Sequence, residues 1–381
     1  MDTLFKLLRV ALGEECHPLP QEIDWQTVVD LSCDQGVGPL CVDGLQMYYE
    51  KFPELEFSLD TPELEMLKYE WFGMTLTCEE AYERHEKVLA DLAAFYHSNG
   101  VDMMLLKGYG LSLNYPIPQH RHPGDIDIYL WDDWERADRL VGESLGIKVN
   151  NSHHHHSVFH FEGEMVENHY DFVNVHSHAS SHRIEALFKG LAADKSQAVP
   201  CDLPGGARIY LPSADLNALF VMRHCALHFA AEGITLRHVL DWALFVRSHH
   251  EEVSWDLFWS KVLEMGMQKF VLCINAIAVE QLGFAPEIFH TPALLAGWSS
   301  SREGSALVSR VLSDILSHGS NSSSGASSSS KPGVLKYIHA RFLNWWHNRW
   351  KHRLVYTDSL FSTFFVQLWS HLLKPASLRG K

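Results

Sequence analysis

Asp125-Ile126-Asp127 places two carboxylates two residues apart, in a stretch that alternates acidic or polar with apolar side chains as far as Trp131. In an extended strand, side chains at i and i+2 share a face. Asp125, Asp127 and Tyr129 would therefore line one side, and Ile126, Ile128 and Leu130 the other. Two carboxylates converging from one strand can share one or two divalent ions, and a third acid from a neighbouring strand completes an oxygen cage of the kind Mg²⁺ takes. Glu167 is the candidate third acid. It lies in the second of two strand-like segments, Val158–Phe161 and Met165–Asp171, which Glu162-Gly163-Glu164 would join as a hairpin turn. Ions held this way support in-line phosphoryl chemistry: one activates an attacking hydroxyl, the other steadies the α-phosphate and a pyrophosphate leaving group. No Walker A loop and no kinase-like catalytic set is present, which disfavours those phosphate chemistries. An Asp-x-Asp pair alone is more often a solvated strand face, so its context decides.

The elements that would position these acids can be read outward from them. Met103 to Leu106 is a short apolar run, as expected of a buried strand, and Lys107-Gly108 leads into a helix-like piece ending near Asn114. Tyr115-Pro116-Ile117-Pro118 reads as a loop, and Trp134 to Leu145 as a helix. Before this core, Leu4, Leu7, Leu8 and Ala11 have helical spacing, Asp24 is a plausible N-cap for a helix through Trp25, Val28 and Val29, and Thr61-Pro62-Glu63 opens a long helix that Asn99-Gly100 ends. After Pro212, helices are expected from Ser213 to Gly233, Leu236 to Ser248, Trp255 to Met265 and Lys269 to Leu282. The fold class is therefore α/β, of α+β type: a small mixed sheet at 100–210 between an N-terminal helical region, 1–99, and a C-terminal helical domain, 211–316. A Ser-rich stretch, 317–332, is too polar to bury apolar surface and reads as a flexible loop. A basic aromatic tail, 333–381, follows.

Composition bounds the function. The chain has 381 residues, 46% hydrophobic and 20% charged, enough for a sizeable core. No apolar run is long enough to span a membrane, and Met1 to Gly13 lacks the features of a signal peptide, so a cytoplasmic location is expected. Seven scattered cysteines with no C-x-x-C pair suit neither a disulfide framework nor a zinc site. The net charge of −16 argues against general nucleic-acid binding, although residues 331–381 carry nine Lys/Arg against Asp358, net +8, leaving −24 on the remainder. That tail could hold an anionic partner or dock on the acidic remainder of the chain; its apolar residues on more than one side favour docking.

Leu105-Leu106-Lys107-Gly108, Leu111, Tyr115-Pro116 and Arg121-x-x-Gly124-Asp125-Ile126-Asp127-Ile128 follow one another in that order. The combination resembles the uncharacterised nucleotidyltransferase family of the polymerase-β-like superfamily. Val166-Glu167-Asn168-His169-Tyr170 is similar to a later strand of that family, and His224-x-x-x-His228-Phe229 with Leu236-Arg237-x-x-x-Asp241 to its helical half. The resemblance covers about residues 100 to 250. It implies a small mixed sheet flanked by helices, an open cleft for a nucleoside triphosphate, and Asp125, Asp127 and Glu167 as ligands of Mg²⁺ or Mn²⁺. It also implies nucleotide contacts from Lys107, Gly108, Arg121 and Gly124. One departure matters: Lys107-Gly108 stands where most superfamily members carry Gly-Ser or Gly-Gly to grip the β- and γ-phosphates.

Each further residue has a bland reading beside the functional one. Lys107 could be a solvated lysine or a point charge facing the cleft. Arg121 could reach the triphosphate or order the Asp125 loop through an ion pair. His153 to His156 could be a polar, pH-sensitive loop or a place where His155 and His156 touch phosphate or metal. His224 and His228, one helical turn apart, have metal-ligand spacing but no evident third ligand, so lining of a core or cleft is favoured. Arg237 and Asp241 could form an intrahelical ion pair or help to close a cleft. With His169, these complete the set that could line the cleft. The leading expectation is transfer of a nucleoside monophosphate from an NTP to a hydroxyl of an unknown acceptor. The alternatives are an inactive interaction module that kept the fold, motivated by Lys107-Gly108, and a toxin-like transferase that modifies tRNA or protein.

Overall fold

The computed structural model describes residues 1–15, 17–20, 22–52, 62–318, 348–359, 363 and 366. The chain divides into two compact units. One comprises Met1–Phe72, Met222–Ala243 and Trp259–Leu360; the other includes Gly73–Val221 and Leu244–Phe258.

The second unit holds a six-stranded mixed sheet. Its strands are β1 (Met104–Leu105), β2 (Ile126–Tyr129), β3 (His156–Phe161), β4 (Glu164–His169), β5 (Val199–Asp202) and β6 (Arg208–Leu211), in the spatial order β3-β4-β2-β1-β6-β5. β2 and β4 run parallel, as do β1 and β6, and the other neighbours are antiparallel. Ile126, Ile128, Val166 and Phe159 are all nearly inaccessible. They pack with Tyr82, Leu89, Leu92 and Tyr96 of a long helix, Pro62–Ser98, and with Ala137 and Val141 of the helix Trp134–Leu145. In the order of the chain, the helices are α1 (Asp2–Ala11), α2 (Trp25–Asp34), α3 (Gly38–Lys51), α4 (Pro62–Ser98), α5 (Tyr109–Ser112), α6 (Trp134–Leu145) and α7 (Ser181–Ala192). They continue with α8 (Ala214–Ala231), α9 (Leu236–His249), α10 (Trp255–Glu264), α11 (Gln268–Leu282), α12 (Arg302–Leu316) and α13 (Arg349–Val355).

The first unit is helical. α1 packs on α3 with Leu4, Leu7, Leu8 and Ala11 buried, as their spacing predicts. Asp24 caps α2, its carboxylate accepting from the Thr27 N–H at 3.2 Å. Buried Gln35 donates to the carbonyl of Ile315 at 3.1 Å and accepts from the N–H of Leu236 at 3.0 Å, tying three segments distant in sequence.

Four sequence expectations need adjusting. The strand expected from Asp125 to Trp131 is shorter, because Leu130 (φ −110°, ψ 20°) and Trp131 (φ +54°) leave the extended region. The hairpin turn is two residues rather than three. Glu162 and Gly163 both take positive φ, 49° and 91°, as a tight hairpin loop requires, so Glu164 joins β4 and pairs with Phe161. β4 ends at His169 rather than Asp171, because the N–H groups of Tyr170 and Asp171 both turn to the carbonyl of His155. The sheet also gains an edge hairpin, β5–β6, that periodicity did not reveal; its turn, Pro204-Gly205-Gly206, was the available signal. The flexible loop expected at 317–332 and the tail at 333–381 lie mostly outside the described residues. The Thr61 helix start and Cys16 lie outside them as well. Cys41, Cys78, Cys225 and Cys273 are buried, and no disulfide occurs among the described residues.

The sheet face turned to α6 is sealed by one acid. Asp138 on α6 accepts from Ser157 Oγ of β3 at 2.9 Å and from Asn168 Nδ2 of β4 at 2.8 Å, and all three residues are buried. Burial pushes the Asp138 carboxyl above its usual range, against the opposing effect of these two donors. Asp138→Ala leaves both donors short of an acceptor and should destabilise the protein by about 1–3 kcal/mol. The expected readout is a lower denaturant midpoint with an unchanged slope; an unmoved midpoint would show that the clamp carries no stability.

Candidate functional site

The site grows out of one strand register. Across the parallel pair, Asp127 of β2 is the partner of Glu167 of β4, and Tyr129 is the partner of His169. On the other side of β4, His156 of β3 is the partner of His169 and Val158 that of Glu167. Alternation therefore sends Asp127, Glu167, His169 and His156 to the sheet face opposite the one packed on α6. β1 brings Lys107. The N–H of Leu106 donates to the carbonyl of Asp127 at 3.0 Å, and one residue further Lys107 Nζ sits 2.9 Å from Asp127 Oδ1. Gly108 follows with φ +62° and ψ −112°, a conformation open to glycine but strained for any L side chain, and so turns the chain into α5.

Asp127 is nearly buried and has two cationic or cationisable neighbours on the same oxygen. His169 Nε2 donates to Oδ1 at 3.0 Å, beside Lys107. His169 Nε2 also faces Glu167 Oε2 at 3.4 Å, and His156 Nε2 lies 3.6 Å from Glu167 Oε1. Asp125 stands just before β2 on the exposed side. Partial burial, then the charges of Asp127 and Glu167, raise its carboxyl above the usual range, with Lys107 opposing. Burial acts to raise Glu167 too, but the hydrogen bond from His169 and the charge of His156 hold it below its ordinary value. Burial, reinforced by neighbouring imidazoles and Lys107, takes His155 down to about 2. His156 falls to about 4, again chiefly through burial.

The donor set suits a divalent cation. Three carboxylates repel one another across this face, and one of them already draws in two positive groups, so a divalent ion would relieve the same charge. Oxygen donors of this kind fit hard ions such as Mg²⁺ or Mn²⁺. Asp127, Glu167 and His169 each offer a ligand atom, all within 4.8 Å of one another. Asp125 feels the other two acids through their charge, whereas His169 stands among the ligand atoms themselves. Its position two residues after Glu167, on the same strand face, was the signal for that placement.

The remaining sequence candidates fall in different places. Arg121 is buried, and its charge reaches His85 and Tyr82. Gly124 is exposed, and a side chain there would meet nothing. His155 and His156 join the acidic face through His169, with ring centroids 5.6 Å and 5.1 Å from it. His224, His228, Arg237 and Asp241 belong to the first unit, where His224 and His228 meet through their Nε2 atoms at 3.1 Å and Asp241 is buried.

The structure thus gathers acids paired in register on one face of a mixed sheet, with a lysine beside them and helices on the other face. Residues 21–283 match the model of the uncharacterised nucleotidyltransferase family, well over half of the chain, and the chain belongs to that family. Membership implies nucleotidyl transfer as its general activity. No curated protein and no solved structure matches it. No helix among the described residues is long and apolar enough to cross a membrane.

Burial acts to lower His169, but its hydrogen bonds to Asp127 and Glu167 outweigh that and push it up to about 8 from 6.5. In the metal-free protein the folded state therefore holds this proton more tightly than the unfolded chain does. The pairing stabilises fully below pH 6.5 and loses its effect as pH rises through about 8. The stability advantage of wild type over His169→Gln should shrink by about 2 kcal/mol between about pH 6 and about pH 9. Denaturation of both proteins with chelator present checks this, and an advantage that grows with pH would contradict it.

Proposed function

We propose that this nucleotidyltransferase moves a nucleoside monophosphate from an NTP to a hydroxyl of its acceptor, with Asp125, Asp127 and Glu167 as the acidic set. The observation that carries this reading is the register of Asp127 against Glu167 on adjacent parallel strands, with Asp125 close enough for its charge state to depend on both. A divalent ion, Mg²⁺ or Mn²⁺, held by these acids would supply Lewis-acid stabilisation of the charge that develops on the α-phosphate.

The chain's own groups have separable tasks. Lys107, 2.9 Å from Asp127, is a compact point charge that can pass to the triphosphate when the acids are otherwise neutralised. Gly108, with its positive φ, lets backbone and phosphate approach closely where a side chain would intrude. Gly124 and Arg121, before Asp125, complete the nucleotide-binding set, with Arg121 supplying charge and Gly124 open backbone. Glu167 is kept ionised chiefly by the hydrogen bond from His169, as a group that takes the proton of the acceptor hydroxyl must be. His169 holds Asp127 in position, and His155 and His156 line the same face.

For the basic tail, docking on the chain itself is the favoured reading. In α13, Lys351 Nζ lies 2.6 Å from Asp314 Oδ2, and the guanidinium of Arg310 stacks 3.9 Å over the Trp350 ring.

Thermal unfolding with each of the four NTPs, with and without Mg²⁺, tests the proposal. A ligand at about 100 times its Kd should stabilise by roughly 2.7 kcal/mol. The expected stabilisation requires Mg²⁺ and vanishes in the Asp125→Ala/Asp127→Ala double variant. No Mg²⁺-dependent shift with any NTP, on a cooperatively folded protein, would sink the reading, as would full turnover by Asp125→Asn.

A further inference from the structure

Beside the acids lies a second cluster whose chemistry differs. His155, His156 and His169 each offer a ring nitrogen, and these ligand atoms lie within 4.8 Å of one another. The rings of His155 and His156 are 4.3 Å apart at their centroids. His155 is half-buried, and His156 and His169 are buried. Nδ1 of His155 and both nitrogens of His156 are buried without a hydrogen-bond partner. A buried polar atom without a partner costs free energy, and unsatisfied groups of this kind in a folded protein ask for an explanation such as an ion.

We propose that His155, His156 and His169 form a site for a borderline transition-metal ion of the zinc class, separate in preference from the carboxylate site for a hard cation. Imidazole suits Zn²⁺, Co²⁺ and Ni²⁺, whereas carboxylate oxygens suit Mg²⁺ and Mn²⁺. Three histidines are a familiar zinc donor set, with Zn–N distances of about 2.0–2.1 Å. Small rotations of side chains bring nitrogens that already lie within 4.8 Å onto such a centre. Three protein ligands leave the fourth position of such an ion to water, while Glu167, its two oxygens 3.6 Å and 3.4 Å from the Nε2 atoms of His156 and His169, stays with the carboxylate site.

The local fold explains how consecutive histidines reach one centre. His156 opens β3 as the partner of His169. His155 precedes the strand, and its carbonyl receives the N–H groups of Tyr170 and Asp171, which pins it over the end of β4. His169 belongs to both clusters, so a metal on the imidazoles draws on the ring that otherwise holds Asp127.

The test uses the full chain without an affinity tag, Co²⁺ as the probe and excess Mg²⁺ to occupy oxygen sites. Co²⁺ uptake is followed by visible absorption, which reports its ligand geometry, and Zn²⁺ by metal analysis after dialysis. One equivalent of Co²⁺ is expected, displaced by Zn²⁺ and not by Mg²⁺. His155→Gln and His156→Gln should each weaken it by about ten-fold or more, while Asp125→Asn should keep it. His155 lies outside the strand, so its variant carries the test if His156→Gln does not fold. No Co²⁺ signal in the wild type would overturn the proposal. Unchanged affinity in both histidine variants would overturn it too, placing the metal elsewhere on a histidine-rich chain. Loss in Asp125→Asn with retention in the histidine variants would overturn it by placing the ion on the carboxylates.

Discussion

The pairing of β2 with β4, Asp127 against Glu167, is the constraint on which the remainder of the site depends. Two carboxylates held side by side in a partly buried setting repel one another, and each raises the cost of ionising a third. The fold answers with Lys107 and His169, both on the same oxygen of Asp127. The lysine arrives because β1 runs antiparallel to β2 and ends two residues before Lys107. The histidine arrives because it is two positions along the strand that bears Glu167. Charge balance at the site is thus a property of strand register.

That register is in turn protected from the other side of the sheet. Ile126, Ile128 and Val166 bury themselves against α4 and α6, so a slip of one residue would turn apolar side chains outward and carboxylates into the core. Asp138 adds a directional lock, since only one alignment of β3 and β4 presents Ser157 and Asn168 together to the same carboxylate oxygen. The tight turn at Glu162-Gly163 sets the pairing of those two strands from its other end. Hydrophobic burial supplies the driving force here, and the buried polar contacts make one register preferable to its neighbours.

The histidines on this face connect two kinds of chemistry. His169 is hydrogen-bonded into the acidic set, and its ring also neighbours His155 and His156. Oxygen donors and imidazole donors therefore share one residue and one wall of the sheet.

Much of this was legible in the sequence. Period-two alternation put Asp125 and Asp127 on one side of an extended stretch, helical spacing located α1, and Glu162-Gly163-Glu164 marked the hairpin that carries Glu167, because these patterns arise from local backbone geometry. The order of residues around Lys107-Gly108 and Asp125 resembled the family to which the chain belongs. Local geometry could not say that β2 and β4 are parallel neighbours, that Lys107 and His169 meet on one oxygen of Asp127, or that Asp138 clamps β3 to β4. It also missed the β5–β6 edge, whose short, half-exposed strands carry little apolar periodicity. The sequence by itself determined which residues could share a strand face. Which faces meet was decided only in the tertiary structure, because pairing between segments distant along the chain depends on how the whole apolar surface is buried, and no local pattern contains that.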